Sequence, residues 1–133
     1  MKHFVNELVI LAQHSPMPQK IIVIEDDQDI LDILEYILSD EGYEVLASVD
    51  SRILTEVHVH QPILILMDNR LNDGFGKDFC KKFKSNPENN KFPVVLMSAN
   101  PGLEEMAVDN YADGYLKKPF DITELIELVK QYS

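Results

Sequence analysis

Ile63-Leu64-Ile65-Leu66-Met67-Asp68-Asn69-Arg70-Leu71-Asn72-Asp73-Gly74-Phe75-Gly76 is the stretch that decides how this 133-residue chain folds. Its first five residues are apolar without polar alternation, the pattern of a strand covered on both faces, as in parallel sheets flanked by helices. The run stops at Asp68 and gives way to a polar loop with two glycines. A carboxylate at that point sits at the carboxyl rim of the sheet, where ligands and chemistry collect in open parallel sheets. Asp68 is therefore the first candidate site residue.

Upstream, Lys20-Ile21-Ile22-Val23-Ile24 is a second apolar run, and it ends in Glu25-Asp26-Asp27. The spacing of Ile30, Ile33, Leu34, Ile37 and Leu38 then predicts a helix, capped by Asp27 and closed by Gly42. A second strand is expected over Tyr43 to Ala47. Asp50 is placed to cap a shorter helix carrying Ile53, Leu54 and Val57. Downstream of the opening stretch, Phe79, Phe83 and Cys80 are candidates for the inner face of a third helix. The turn-rich Ser85-Asn86-Pro87-Glu88-Asn89-Asn90 follows it. Pro93 to Met97 reads as strand four, stopping at Ser98. A weakly apolar fourth helix spans about Leu103 to Asn110, and strand five covers Gly114 to Lys117, running into Lys118-Pro119. Asp121-Ile122-Thr123-Glu124 resembles a capping box opening a last helix with Leu125, Ile126, Leu128 and Val129. Five β-α repeats predict an α/β fold: a doubly wound five-stranded parallel sheet, helices on both faces, in the flavodoxin-like order 2-1-3-4-5.

Composition narrows the function classes. With 45% hydrophobic residues the chain suits one compact domain, and a net charge of −11 makes nucleic acid and anionic membrane poor partners. Cys80 is the single cysteine, so neither an intramolecular disulfide nor a cysteine-based zinc site can form, and a reducing cytoplasm fits. No segment is long and apolar enough to insert into a bilayer. Residues 1–19 read as an N-terminal extension before a domain at 20–133. Phe4, Leu8 and Leu11 recur at helical spacing there, and an upstream start with Met17 as the true first residue is the alternative.

The informative feature is what ends each strand: Glu25-Asp26, Asp68, Ser98 and Lys118. Right-handed crossovers bring all four ends to one edge. Clustered carboxylates repel one another, and a divalent ion with oxygen ligands, Mg²⁺ above all, removes the conflict. Ser98 and Lys118 offer a hydroxyl and a positive charge suited to the oxygens of a transferring phosphoryl group. An Asp held between them is suited to in-line attack on phosphorus.

Together, IIVIEDD, LILMDNRLNDGFG, VVLMSAN and GYLKKPFD resemble the receiver domain of two-component response regulators, over Lys20 to about Tyr132. The resemblance implies that Asp68 accepts a phosphoryl group from a histidine kinase or histidine phosphotransfer protein. It implies that Glu25, Asp26, Asp68 and the backbone carbonyl of Arg70 hold Mg²⁺, with Mn²⁺ as a substitute. Ser98 and Lys118 would contact the phosphoryl group, a cis peptide would precede Pro119, and Ser98 and Tyr115 would form the switch. A downstream protein would bind the face made by helix four, strand five and helix five. Because the chain ends after the fifth helix, a stand-alone phosphoacceptor switch, rather than an enzyme acting on external substrates, is expected.

Departures and plainer readings stand beside this. Asn72 lies where many members carry proline, and Glu25 replaces the commoner aspartate. Arg70 and Asn100 lie two residues beyond Asp68 and Ser98, near the path of attacking water. Asp27 and Asp73 read as caps of helix and turn, His58 and His60 as solvated, Lys81-Lys82 as the wet face of helix three, and Tyr115 as either switch or core ring. A docking module of the same fold that ignores phosphate is the alternative function. A phosphatase built on Asp68 would need a second acid where Arg70 stands.

Overall fold

Among the described residues, the apolar runs expected to be strands form strands. The structure, a computed structural model, describes residues 17–133, so the helix expected around Phe4, Leu8 and Leu11 lies outside the described residues. The strands are β1 (Lys20–Ile24), β2 (Glu44–Ser48), β3 (Leu64–Asp68), β4 (Val94–Ser98) and β5 (Gly114–Lys117). They form one parallel sheet in the spatial order β2-β1-β3-β4-β5. The expected fold class and strand order are those observed.

The helices are α1 (Gln28–Asp40), α2 (Val57–His60), α3 (Gly76–Ser85), α4 (Leu103–Asp109) and α5 (Ile122–Lys130). Helices α1 and α5 cover one face of the sheet, where Leu31, Leu34, Leu38, Leu125 and Val129 pack on Ile21, Val23, Leu64, Leu66, Val95 and Met97. Helices α2, α3 and α4 cover the other, through Val57, Cys80, Phe83 and Leu103 against Ile22, Ile24, Ile65, Met67, Val94 and Leu96. Strand β3 is buried along its whole length. Each fully buried Leu, Ile or Met contributes roughly 1.5–3 kcal/mol, so this central strand anchors both half-cores.

Local signals act as expected at several ends. The Asp27 carboxylate accepts the Asp29 and Ile30 N–H groups at 3.0 and 3.2 Å, capping α1. After α1, Gly42 adopts φ +94°, the left-handed region that favours glycine. Asp121 caps α5 by accepting the Glu124 N–H at 2.8 Å. The Lys118–Pro119 peptide is cis.

Three expectations need correction. Strand β2 lies one residue later than the expected Tyr43 to Ala47. The inner stripe of α1 is Leu31, Leu34 and Leu38, with Ile30 and Ile33 turned outwards at 37% and 58% exposure. The segment after Asp50 is mostly a 3₁₀ helix, Ser51–Glu56, before the single turn of α2. Only Val57 is fully buried there, too little apolar surface to organise a longer α-helix. No helix among the described residues is long and apolar enough to cross a membrane.

Candidate functional site: an acidic cleft at the carboxyl edge

Parallel pairing brings the carboxyl ends of β1, β3, β4 and β5 to one edge, around a cleft of about 740 Å³. Glu25, Asp26, Asp68, Arg70, Ser98 and Lys118 all line it, so the expected site residues other than Tyr115 meet in one place. The lysine lies between two acids. Lys118 Nζ is 2.6 Å from Asp68 Oδ1 and 3.1 Å from Glu25 Oε1. The other Asp68 oxygen, Oδ2, accepts the Arg70 N–H at 2.9 Å.

Glu25 is only 1% exposed, and its Oε2 has no hydrogen-bond partner. Burial, reinforced by the Asp68 charge and only partly offset by Lys118, pushes its carboxyl pKa up to about 7. For Lys118, burial acts to lower the pKa, but the hydrogen bonds and charges of Asp68 and Glu25 outweigh it and leave it raised. A buried carboxylate oxygen without a donor is costly. Glu25, Asp26 and Asp68 can each place an oxygen so that all three lie within 4.8 Å of one another. An orphaned oxygen in such a hard-donor set fits an oxygen-ligated divalent cation. This is the one such cluster among the described residues.

Ser98 Oγ accepts the Asn100 N–H at 3.0 Å, leaving its own proton free to donate. Asn100 Oδ1 in turn accepts the Gly102 N–H at 2.8 Å. Tyr115 lies on β5, outside the cleft, and is 42% exposed. His58 remains exposed but bonds to Asn89 Oδ1 at 2.9 Å, and His60 faces Glu56 at 3.4 Å. Cys80 is fully buried, and burial pushes its thiol pKa up to about 12.

The loop after β3 contains groups whose part the sequence did not reveal. Asn69 is buried; its backbone carbonyl accepts the Gly76 N–H at 2.7 Å and its Oδ1 accepts the Lys77 N–H at 3.0 Å, satisfying orphan donors at the start of α3. A polar residue directly after Asp68, where buried backbone continues, was the available signal. Asp73 caps no turn of its own and instead bonds to Ser51, a correction of its expected role. Gly74 has φ +149° with the Phe79 ring against its Cα, and Gly76 lies on the Asp68 carbonyl. A Cβ at Gly76 would overlap that carbonyl oxygen and crowd the Asn69 Cα. Gly76→Ala is therefore expected to cost about 1–3 kcal/mol by overpacking against backbone that cannot rotate away. Chemical denaturation checks this, and an unchanged midpoint would count against the close approach.

The model of the response regulator receiver domain matches residues 21–130. Among solved structures, a CheY-like receiver domain protein from Methanospirillum hungatei JF-1 is 28% identical with a TM-score of 0.75, covering 86% of this chain and 93% of its own. Chemotaxis protein CheY4 of Vibrio cholerae is 22% identical at TM-score 0.79, covering 88% and 100%. The receiver domain of sensor histidine kinase PA1611 from Pseudomonas aeruginosa PAO1, described with a magnesium ion coordinated in its active-site cleft, is 24% identical at TM-score 0.78, covering 87% and 98%. With the family match running from the second residue of β1 to the last of α5, this chain belongs to the response regulator receiver domain family of two-component signalling.

Proposed function

We propose that Asp68 is the phosphoacceptor of a two-component phosphorelay, taking a phosphoryl group from a phosphohistidine on a histidine kinase or phosphotransfer protein. One observation carries the reading: the Asp68 carboxylate is held 2.6 Å from Lys118 Nζ beside the buried, unpartnered Oε2 of Glu25. In the transfer an Asp68 carboxylate oxygen forms the new bond to phosphorus as the bond from phosphorus to the donor imidazole nitrogen breaks. Lys118 orients Asp68 beforehand and is close enough to neutralise an incoming phosphoryl oxygen. Ser98 Oγ can donate its free proton to another. Glu25, Asp26, Asp68 and the Arg70 carbonyl would hold Mg²⁺, which supplies positive charge for the phosphoryl oxygens; Mn²⁺ has the same oxygen preference. The magnesium in the Pseudomonas receiver domain supports this choice of ion. Movement of Ser98 towards the phosphoryl group, followed by Tyr115, would change the α4–β5–α5 face offered to a downstream protein.

Intact mass after incubation with Mg²⁺ and acetyl phosphate tests the reading. Gain of one phosphoryl group, abolished by Asp68→Asn and by a chelator, is the expected result. If a folded, Mg²⁺-binding protein gains none from acetyl phosphate or from a phosphorylated histidine kinase, the phosphate-independent docking reading replaces it.

The Glu25 pKa adds a pH dependence. Its carboxyl must lose a proton to ligate a cation, and with a pKa of about 7 the proton competes near neutrality. Mg²⁺ affinity is expected to rise roughly tenfold from about pH 6 to about pH 8, measured by calorimetry. Without the ion the sign for stability is opposite. The folded value lies above the ordinary 4.5, so stability falls as pH rises from 4.5 to about 7. A flat Mg²⁺ affinity over this range would mean that Glu25 is either already ionised at about pH 6 or not a ligand, and Glu25→Gln, which removes the charge, separates the two.

A further inference from the structure

We infer that Asp73 and Ser51 form a latch that positions the Arg70 peptide against Asp68, making Asp73 a positioning residue of the acidic cleft although it does not line it. The segment from Asn69 to Phe75 contains no proline to fix its backbone, and it carries Gly74 near its tip. It folds as a two-residue antiparallel ribbon, Arg70 opposite Phe75 and Leu71 opposite Gly74. Leu71 holds one side of the ribbon in the core. Asn69 and Gly76 close its base through the 2.7 Å bond between them.

The tip is exposed at Asn72 and Asp73, and besides the Phe79 ring beside Gly74 it is Asp73 that ties it to the rest of the fold. Its Oδ2 accepts the Ser51 hydroxyl at 2.6 Å and the Ser51 N–H at 3.2 Å. Ser51 is a firm anchor because it opens the 3₁₀ helix whose cap is Asp50, bonded to Arg52 N–H at 3.1 Å. The latch thus joins the β2–α2 crossover to the loop following β3, across 22 residues of sequence. With base, flank and tip fixed, the Arg70 N–H points at Asp68 Oδ2. Fixing that peptide also fixes its neighbouring backbone, including the Arg70 carbonyl proposed as an ion ligand. Groups that orient a metal's ligands without touching the metal commonly matter tenfold or more to its affinity.

The functional meaning of the latch rests on the phosphoacceptor reading, but its test does not. In the full chain, Asp73→Ala is expected to speed hydrogen exchange of the Arg70 amide and weaken Mg²⁺ binding by roughly tenfold each, while core amides such as Val23 keep their protection. Ser51→Ala, which keeps the N–H donor, should give a smaller change in the same direction, and the double variant should be no worse than Asp73→Ala alone. Asp73→Asn, which retains an acceptor oxygen, should restore part of the protection. The inference is overturned if Asp73→Ala leaves Arg70 exchange and Mg²⁺ affinity within about twofold of the parent, or if the two single effects simply add. Failure of the parent protein to accept a phosphoryl group would sink the phosphoacceptor reading while leaving the Arg70 exchange result to decide the latch.

Discussion

Lys118→Met is expected to slow phosphoryl uptake by about a hundredfold, some 2.7 kcal/mol of barrier, while tightening Mg²⁺ binding. The two effects have opposite signs because the ammonium has two relations to the cleft. In the proposed transfer it would attract the incoming phosphoryl oxygens and orient Asp68 through the 2.6 Å contact, so its loss would remove transition-state stabilisation. It also puts a positive charge 3.1 Å from Glu25, where it would compete with the proposed divalent cation for the same carboxylates. Methionine keeps much of the side-chain volume, so the half-buried channel stays filled. Without Mg²⁺ the variant should be less stable than the parent, since Asp68 and Glu25 are left to repel each other; Mg²⁺ should restore more of its melting temperature than it does for the parent. Initial rates of mass gain, together with calorimetric Mg²⁺ titration, separate these effects. If uptake and Mg²⁺ affinity fell together, Lys118 would be holding the cleft in shape and not acting on the phosphoryl group.

The residues of the cleft were legible in the sequence because each terminates an apolar run, and parallel strands can only end together at one edge. The positions of Glu25, Asp68, Ser98 and Lys118 follow from topology alone, as does the strand order once strands and helices alternate. Periodicity was weaker on α1, where Ile30, Leu31, Ile33, Leu34, Ile37 and Leu38 fill six of nine positions. So wide an apolar arc does not identify its own centre; packing on the sheet selected Leu31, Leu34 and Leu38. Long-range polar pairs left no local trace at all. Asp73 looks like any turn acid until the fold sets it beside Ser51. Lys84 follows Lys81 and Lys82 closely enough to pass for the same solvated face, yet it is buried among backbone carbonyls.

That lysine should be a large stability determinant, and Lys84→Met isolates it. Its side chain is 5% exposed, and Nζ donates to Asn90 O at 3.0 Å, Phe92 O at 3.1 Å and Asp113 Oδ2 at 2.9 Å, using all three protons. Asp113 Oδ2 also accepts the Val94 N–H at 2.8 Å. One ammonium therefore ties the end of α3 to the turn before β4 and to the entry into β5, at the sheet edge opposite the cleft. Methionine fills the space but strands two carbonyls and a carboxylate. Breaking a fully buried pair costs about 3–5 kcal/mol, but Asp113 is 38% exposed and water can take part of its charge. The expected loss is about 2–3 kcal/mol, a drop in melting temperature of roughly 10 °C. Lys82→Met, on the exposed face of the same helix, should stay within about 0.5 kcal/mol of the parent. Phosphoryl uptake by the folded Lys84→Met protein, assayed well below its transition, should be unchanged because none of the hydrogen bonds of this cluster goes to a residue lining the cleft. A melting shift no larger than that of Lys82→Met would mean that the three bonds at Lys84 only replace equivalent bonds to water.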